Sequence, residues 1–366
     1  MNNYVQRRDR LINGIDADAF FVFDLDRILP RNIDHENLFY LTGYTGEGAL
    51  LICRDEAILL TDSRYVEQAS KQAAELTLRH AEGDYLAEIA EVIQGKGIQR
   101  LAFASWRLTH FVVERLREVT GIELIPITDP VRKMRTTKDT AEIELIRKAT
   151  KISEEALTAL IEEIEVGMNE VDIAIRFGEL IREKGADRLS FDMTVAAGPN
   201  SSLPHYRPTM GRRRIAGGDL LLFDFGAMVN QYCSDMTRTF VVENATSKQQ
   251  SIYNWVLQAT EASLSMLRAG VAGQEVHQAA VDVILDSPYR DYVFLSPVGH
   301  GVGLEVHELP RMGLDPGLLE PGMVVTIEPG IYIPDFGGVQ IEDVAVVTDD
   351  GYELLTSFPR DRLMEI

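Results

Sequence analysis

Four acidic residues sit in or at the end of apolar runs that read as buried strands. Asp224 follows Leu220-Leu221-Leu222-Phe223 and Asp235 lies in the next strand-like run. Glu328 follows Val324-Val325-Thr326-Ile327, and Glu342 follows Gly337-Gly338-Val339-Gln340-Ile341. An ionised carboxylate at such a position is costly unless a partner offsets it. If Val229 and Asn230 form a two-residue turn, Asn accepting positive φ, then Asp224 and Asp235 stand opposite each other on one face of a hairpin. Like charges placed so destabilise a sheet, and something positive should lie between them. Glu328 and Glu342 repeat the arrangement around a connection centred on Asp335. Any one of these acids alone reads as a solvated strand end. Two hairpins, each presenting two inward carboxylates, read as a cation site.

Two histidines, His300 and His307, fall within Gly299-His300-Gly301-Val302-Gly303-Leu304-Glu305-Val306-His307-Glu308. The glycines flanking His300 would let the backbone approach a ligand closely. As a dinucleotide loop the stretch fails, because its spacing is wrong and no strand-loop-helix context follows. One imidazole beside four carboxylates suits Mn²⁺ or Co²⁺, with Zn²⁺ as an alternative. Four negative charges are balanced by two divalent ions, and ion pairs about 3.5–4 Å apart are a common hydrolytic device. A third histidine, His205, lies between Pro204 and Pro208 in a loop that either aims its ring into a cleft or leaves it on the surface.

The rest of the chain supplies the frame. With 366 residues, two domains are expected. Apolar runs at 19–23, 48–53 and 57–61 alternate with helical patterns at 64–75, 86–93 and 108–119, which predicts an α/β amino-terminal domain. A polar stretch at 126–138 holds the boundary, giving domains 1–130 and 131–366. The second half opens on a long helix beginning at Lys138-Asp139, and further helices are expected at 171–184, 248–267 and 274–285. Strand pairs at 220–228 with 231–241 and 324–333 with 339–347 complete an α+β domain with antiparallel sheets. The net charge of -21 argues against nucleic acid or an anionic membrane as a partner. Two cysteines far apart, Cys53 and Cys233, and no signal-peptide-like or membrane-spanning apolar run make the expected setting the cytoplasm.

Six phrases in the second half resemble the pita-bread metallopeptidases, specifically the Xaa-Pro peptidases (prolidase and Xaa-Pro aminopeptidase). They are Ser190-Phe191-Asp192 through Pro204-His205-Tyr206, Asp224-Phe225-Gly226, Ser234-Asp235-Met236-Thr237-Arg238-Thr239, His300-Gly301-Val302-Gly303-Leu304 through His307-Glu308, Glu328-Pro329-Gly330 and Ile341-Glu342-Asp343. In the first half, Asn37-Leu38-Phe39-Tyr40-Leu41-Thr42-Gly43 and Thr61-Asp62-Ser63-Arg64-Tyr65 are similar to the family's creatinase-type domain. The resemblance implies metal ligands at Asp224, Asp235, His300, Glu328 and Glu342, with Asp235 and Glu342 bridging two ions. It implies substrate contacts for His205 and His307, and a homodimer built by the amino-terminal domain. One position departs: Gln340 stands where the family usually has arginine, which puts the electrostatics around the bridging carboxylates in question.

On this reading Glu328 takes a proton from the attacking water and relays it to the leaving nitrogen. His307 steadies the developing oxyanion. The bond cleaved precedes proline, whose amide nitrogen has no hydrogen to offer a general peptidase. Arg311, in Leu309-Pro310-Arg311, resembles the prolidase arginine that meets the free carboxylate of a dipeptide; its alternative is a surface arginine paired to Glu308 or Asp315. A dipeptidase is therefore favoured over an aminopeptidase acting on longer peptides. Methionine aminopeptidase normally lacks the first domain and creatinase has lost the ligands, while a non-catalytic binding relative typically loses ligands or histidines; none is lost here.

Overall fold

The computed structural model describes residues 3–25, 34–81, 83–293 and 296–366. It divides into two compact units between Arg135 and Thr136, five residues after the division read from the sequence. The reason lies in the helix Pro130–Met134, which belongs to the first unit. Its Val131 is fully buried, its N-cap Asp129 accepts from Asn37, and Arg135 donates to Asn37 at 3.0 Å.

The first unit is a six-stranded mixed sheet. Its order is Thr77–His80, Ala57–Thr61, Gly48–Cys53, Ala19–Asp24, Arg100–Ala104 and Glu123–Ile127. The three central apolar runs are buried on both faces, which is why they lack polar alternation. The sequence reading misses the inner strand Arg100–Ala104 and both edge strands. Thr77–His80 is polar and mostly exposed, and Glu123–Ile127 carries Pro126, which an edge tolerates because its missing N–H faces no partner.

The second unit has two main sheets. One runs Met364–Glu365, Met236–Val241, Leu220–Phe225, Thr194–Ala197; the other runs Glu308–Arg311, His300–Gly301, Val324–Ile327, Asp343–Val347, Tyr352–Leu354. Pairing is antiparallel except between Met236–Val241 and Met364–Glu365. Helices Thr140–Ile161 and Glu170–Glu183 cover the first sheet through Phe177, whose ring lies 4.6 Å from that of Phe225. Helices Ser247–Met266 and Gly273–Leu285 bury Val256 and Val276 against the second sheet's Val325 and Ile327. The long helix starts where expected because Asp139 caps it: its carboxylate accepts from the Glu142 N–H at 3.0 Å while Glu142 accepts from the Asp139 N–H at 2.8 Å.

Candidate metal centre

Each acid-bearing hairpin is interrupted where its carboxylates lie. In the first, the ladder of Leu220–Phe225 with Met236–Val241 stops, Gly226 intervenes, and a new ladder joins Ala227–Val229 to Tyr232–Cys233. Gly226 is required here, since a Cβ would meet the Ser234 carbonyl oxygen at 2.0 Å. The turn is Asn230-Gln231, both at positive φ (47° and 72°), rather than Val229-Asn230. The register therefore differs from the expected one, and Asp224 faces Thr237 instead of Asp235. Because the slip is an even number of residues, both aspartates keep a common face. The second hairpin has the expected register: Ile327 opposes Asp343 and Gly330 opposes Gln340, leaving Glu328 and Glu342 in the gap between two ladders.

These gaps bring the acids together. Asp224, Asp235 and Glu342 each place an oxygen within 4.8 Å of the others, and ligand atoms of His300, Glu328 and Glu342 do the same. A third such group is Asp235, His300 and His307. His300 Nε2 lies 3.3 Å from Glu328 Oε1 and 3.5 Å from Asp235 Oδ2. Its Nδ1 is 3.1 Å from the Gly301 carbonyl oxygen, which turns Nε2 toward the acids. The glycines beside His300 serve neighbouring strands rather than a ligand: a Cβ on Gly299 would meet Thr326 O at 1.9 Å, and one on Gly301 would meet Leu309 O at 2.1 Å.

Burial and mutual repulsion dominate the electrostatics. Asp224 is pushed up to about 7, first by burial and then by the charge of Glu328, with His300 partly opposing. Asp235 and Glu342 are raised well above the usual carboxylate range by burial and then by neighbouring carboxylates. His307 is pushed down to about 4 by burial of its ring and by the adjacent His300. Glu342 Oε2 accepts from the Thr237 hydroxyl at 2.8 Å, but its buried Oε1 has no hydrogen-bond partner. An oxygen-rich set with an orphaned, desolvated carboxylate oxygen fits a divalent cation.

A cavity of about 390 Å³ opens over these groups and is also lined by His205, His307, Arg311, Tyr332 and Gln340. Arg311 pairs with neither acid considered from the sequence: its backbone N–H donates to Asp315 at 2.5 Å, and Glu308 is joined to the buried Lys138 at 3.4 Å. Among the described residues the Arg311 guanidinium makes no ion pair, and it stands on the cavity wall. Gln340, flagged only as a departure, receives the Tyr332 hydroxyl proton at 2.7 Å and donates through Nε2 to Glu328 Oε2 at 2.9 Å. Three supporting residues were given no role by the sequence reading. Tyr332 shares the strand parity of Glu328, four residues on, so alternation could have found it. Thr237 shares parity with Asp235 in the same way. Arg238, buried, donates to the carbonyl oxygens of Thr237 and Glu342 and to Asp343, and nothing local announces that.

Residues 144–349 match the description "Metallopeptidase family M24", and residues 5–137 match "Creatinase/Prolidase N-terminal domain". The chain belongs to metallopeptidase family M24. It is 37% identical to the Xaa-Pro dipeptidase of Pyrococcus furiosus, over 98% of this chain and 99% of that one. Among solved structures, the X-Pro aminopeptidase of Thermotoga maritima superposes with a TM-score of 0.91 at 32% identity, covering 98% of this chain and 100% of that chain. The Xaa-Pro dipeptidase of Bacillus anthracis gives a TM-score of 0.91 at 35% identity, covering 100% and 99%. The M24 fold is thus the creatinase-type α/β domain followed by the pita-bread domain. Among the described residues, no helix is long and apolar enough to cross a membrane.

Proposed function

We propose that this M24 peptidase is a two-metal Xaa-Pro dipeptidase. The observation that carries the reading is that four carboxylates and His300 form overlapping clusters that share Glu342, whose buried Oε1 has no hydrogen-bond partner. In this reading Asp224, Asp235, His300, Glu328 and Glu342 would hold two divalent ions, Mn²⁺ or Co²⁺ with Zn²⁺ as the alternative. Such ions, when bound, supply Lewis acidity that lowers the pKa of water and polarises a carbonyl.

The chain's own groups do the rest. Glu328 accepts the water proton and passes it to the leaving proline nitrogen, one of its oxygens being tethered by Gln340. His307, its ring pKa lowered and therefore neutral at pH 7, donates a hydrogen bond to the scissile carbonyl oxygen as charge develops there. His205 contacts the substrate from the opposite loop. Arg311 binds the free carboxylate of the dipeptide with its guanidinium fork. The names of the relatives support both dipeptides and longer peptides as substrates; the unpaired Arg311 favours the dipeptide. A cytoplasmic homodimer completes the proposal, supported by two unpaired, buried cysteines and by the amino-terminal domain type.

The test compares Xaa-Pro dipeptides with Xaa-Pro-Xaa tripeptides after loading with Mn²⁺ or Co²⁺. Dipeptides should lead in kcat/KM by about tenfold or more, the worth of a charge-assisted pair. Arg311→Ala should remove that lead while sparing tripeptides. Equal rates on both in the wild type would make the protein an aminopeptidase and Arg311 a structural residue. Fewer than about one bound ion per chain would instead favour a non-catalytic relative.

A further inference from the structure

The His205 loop is held by a single buried carboxylate that lies outside the metal centre. Glu170, the first residue of Glu170–Glu183, is fully buried. It accepts from the Ala197 N–H at 2.7 Å, from Asn200 Nδ2 at 3.0 and 3.1 Å on its two oxygens, from the Tyr206 hydroxyl at 2.8 Å, and from the Arg213 N–H at 3.1 Å. Every donor is neutral, and among the described residues no cation pairs with it. A buried charge without a counter-ion is tolerable only where hydrogen bonds replace its hydration, and four donor groups do so here.

The placement of those donors matters more than their number. Ala197 and Asn200 lie at one end of the segment that carries His205, Arg213 lies at the other, and Tyr206 is its middle. Tyr206 is buried, whereas the adjacent His205 is exposed and lines the cavity over the acids. Asn200 Nδ2 also reaches the Tyr206 hydroxyl at 2.9 Å, closing the network. The loop's two ends and its centre are thus referred to one point, which sets where His205 stands.

Resting on the peptidase reading above, we propose that Glu170 is a positioning residue for His205, acting on the substrate through Tyr206 and Asn200. Glu170→Gln replaces one acceptor oxygen by an NH₂ group facing backbone N–H donors that cannot turn away, so the loop must shift. Displacing a substrate-contacting group by an ångström costs on the order of tenfold to a hundredfold in rate.

The decisive measurement is a double-mutant cycle on the manganese-loaded enzyme with an Ala-Pro dipeptide, metal content being measured for each variant. Glu170→Gln should lower kcat/KM by about tenfold to a hundredfold with full metal content. In a His205→Ala background the same change should cost less than about twofold, because its target is gone. Tyr206→Phe, which removes one donor and keeps the buried ring, should give a smaller loss with the same dependence on His205. It carries the test if Glu170→Gln does not fold. Equal losses in both backgrounds, or a His205→Ala variant with wild-type kinetics, would overturn the proposal. A metal-loaded wild type inactive on every Xaa-Pro peptide would remove the peptidase reading itself, and this inference with it.

Discussion

The two acid-bearing hairpins carry the same number of carboxylates but hold them differently. Among the described residues, Asp224 and Asp235 accept no hydrogen bond from a backbone N–H, hydroxyl or amide, and what approaches Asp235 is imidazole, from His300 and His307. Glu328 and Glu342 each have a dedicated donor, the Gln340 amide for one and the Thr237 hydroxyl for the other. The first pair is thus left without protein donors, while the second is oriented beforehand by the protein. Arg238 connects the two, since it sits on the first hairpin and binds the Glu342 carbonyl oxygen and the Asp343 carboxylate of the second chain segment. Preorganised carboxylates suit chemistry, and unsupported ones suit tight binding of an ion.

The contrast breaks most sharply at Glu328. Glu328→Gln keeps the volume and removes the proton acceptor, so kcat should fall by about 10²–10⁴ with KM changing far less. Wild-type turnover in a fully metallated variant would end the general-base role while leaving the ligand set standing. Next in size is Arg238→Met, which leaves the buried Asp343 with Arg360 and Thr356 as its partners among the described residues. Because Arg360 still compensates Asp343, the loss is that of a charge-assisted hydrogen bond, about 1.5–3 kcal/mol, read as a lower denaturant midpoint even without metal.

Metal removal probes the first hairpin more gently. Saturation at about 100 times the dissociation constant adds roughly 2.7 kcal/mol, so chelation should lower Tm. It should also create a pH dependence. Asp224 titrates near 7 in the metal-free fold against 3.8 as its ordinary value. Between those values the folded state binds more protons than the unfolded one. The Asp224 contribution to the stability of metal-free protein therefore falls as pH rises from about 4 to about 7, so metal-free protein should lose stability relative to loaded protein over this range. Calorimetry with and without chelator across this range checks the sign; a Tm gap between loaded and metal-free protein that does not widen with pH would count against the cluster.

The smallest effect sharpens the second hairpin. Gln340→Met removes the amide donor to Glu328, a hydrogen bond to a charged group worth about 1.5–3 kcal/mol. It should lower kcat with metal stoichiometry unchanged. Gln340→Arg should keep the tether but add a positive charge beside the ions, weakening their binding in a titration of metal-free protein.

Much of this was legible in the residues. Three of the four inner strands of the first unit, the four long helices and the second hairpin's register follow from apolar runs, helix caps and turn residues, which are local signals. The acids at Asp224, Asp235, Glu328 and Glu342 stood out because apolar neighbours make their charge conspicuous. The first hairpin's turn was misread by one residue, because Asn230 and Gln231 both accept positive φ and the sequence does not weigh one turn against another. The edge strand Thr77–His80 left no periodic trace because its side chains mostly face water, and in Glu123–Ile127 the proline broke the pattern.

The sequence by itself picked out two hairpins with inward carboxylates and one glycine-flanked histidine as a candidate cation site, since burial energetics follow from residue type and spacing. Only the tertiary structure decided which oxygens are served by protein donors and which are left open. It also decided that Gln340 tethers Glu328, that Arg311 stays unpaired on the cavity wall, and that Glu170 gathers the His205 loop. Those contacts join residues far apart in the chain or set on different elements. They depend on how sheets, helices and loops pack, and no local propensity encodes that.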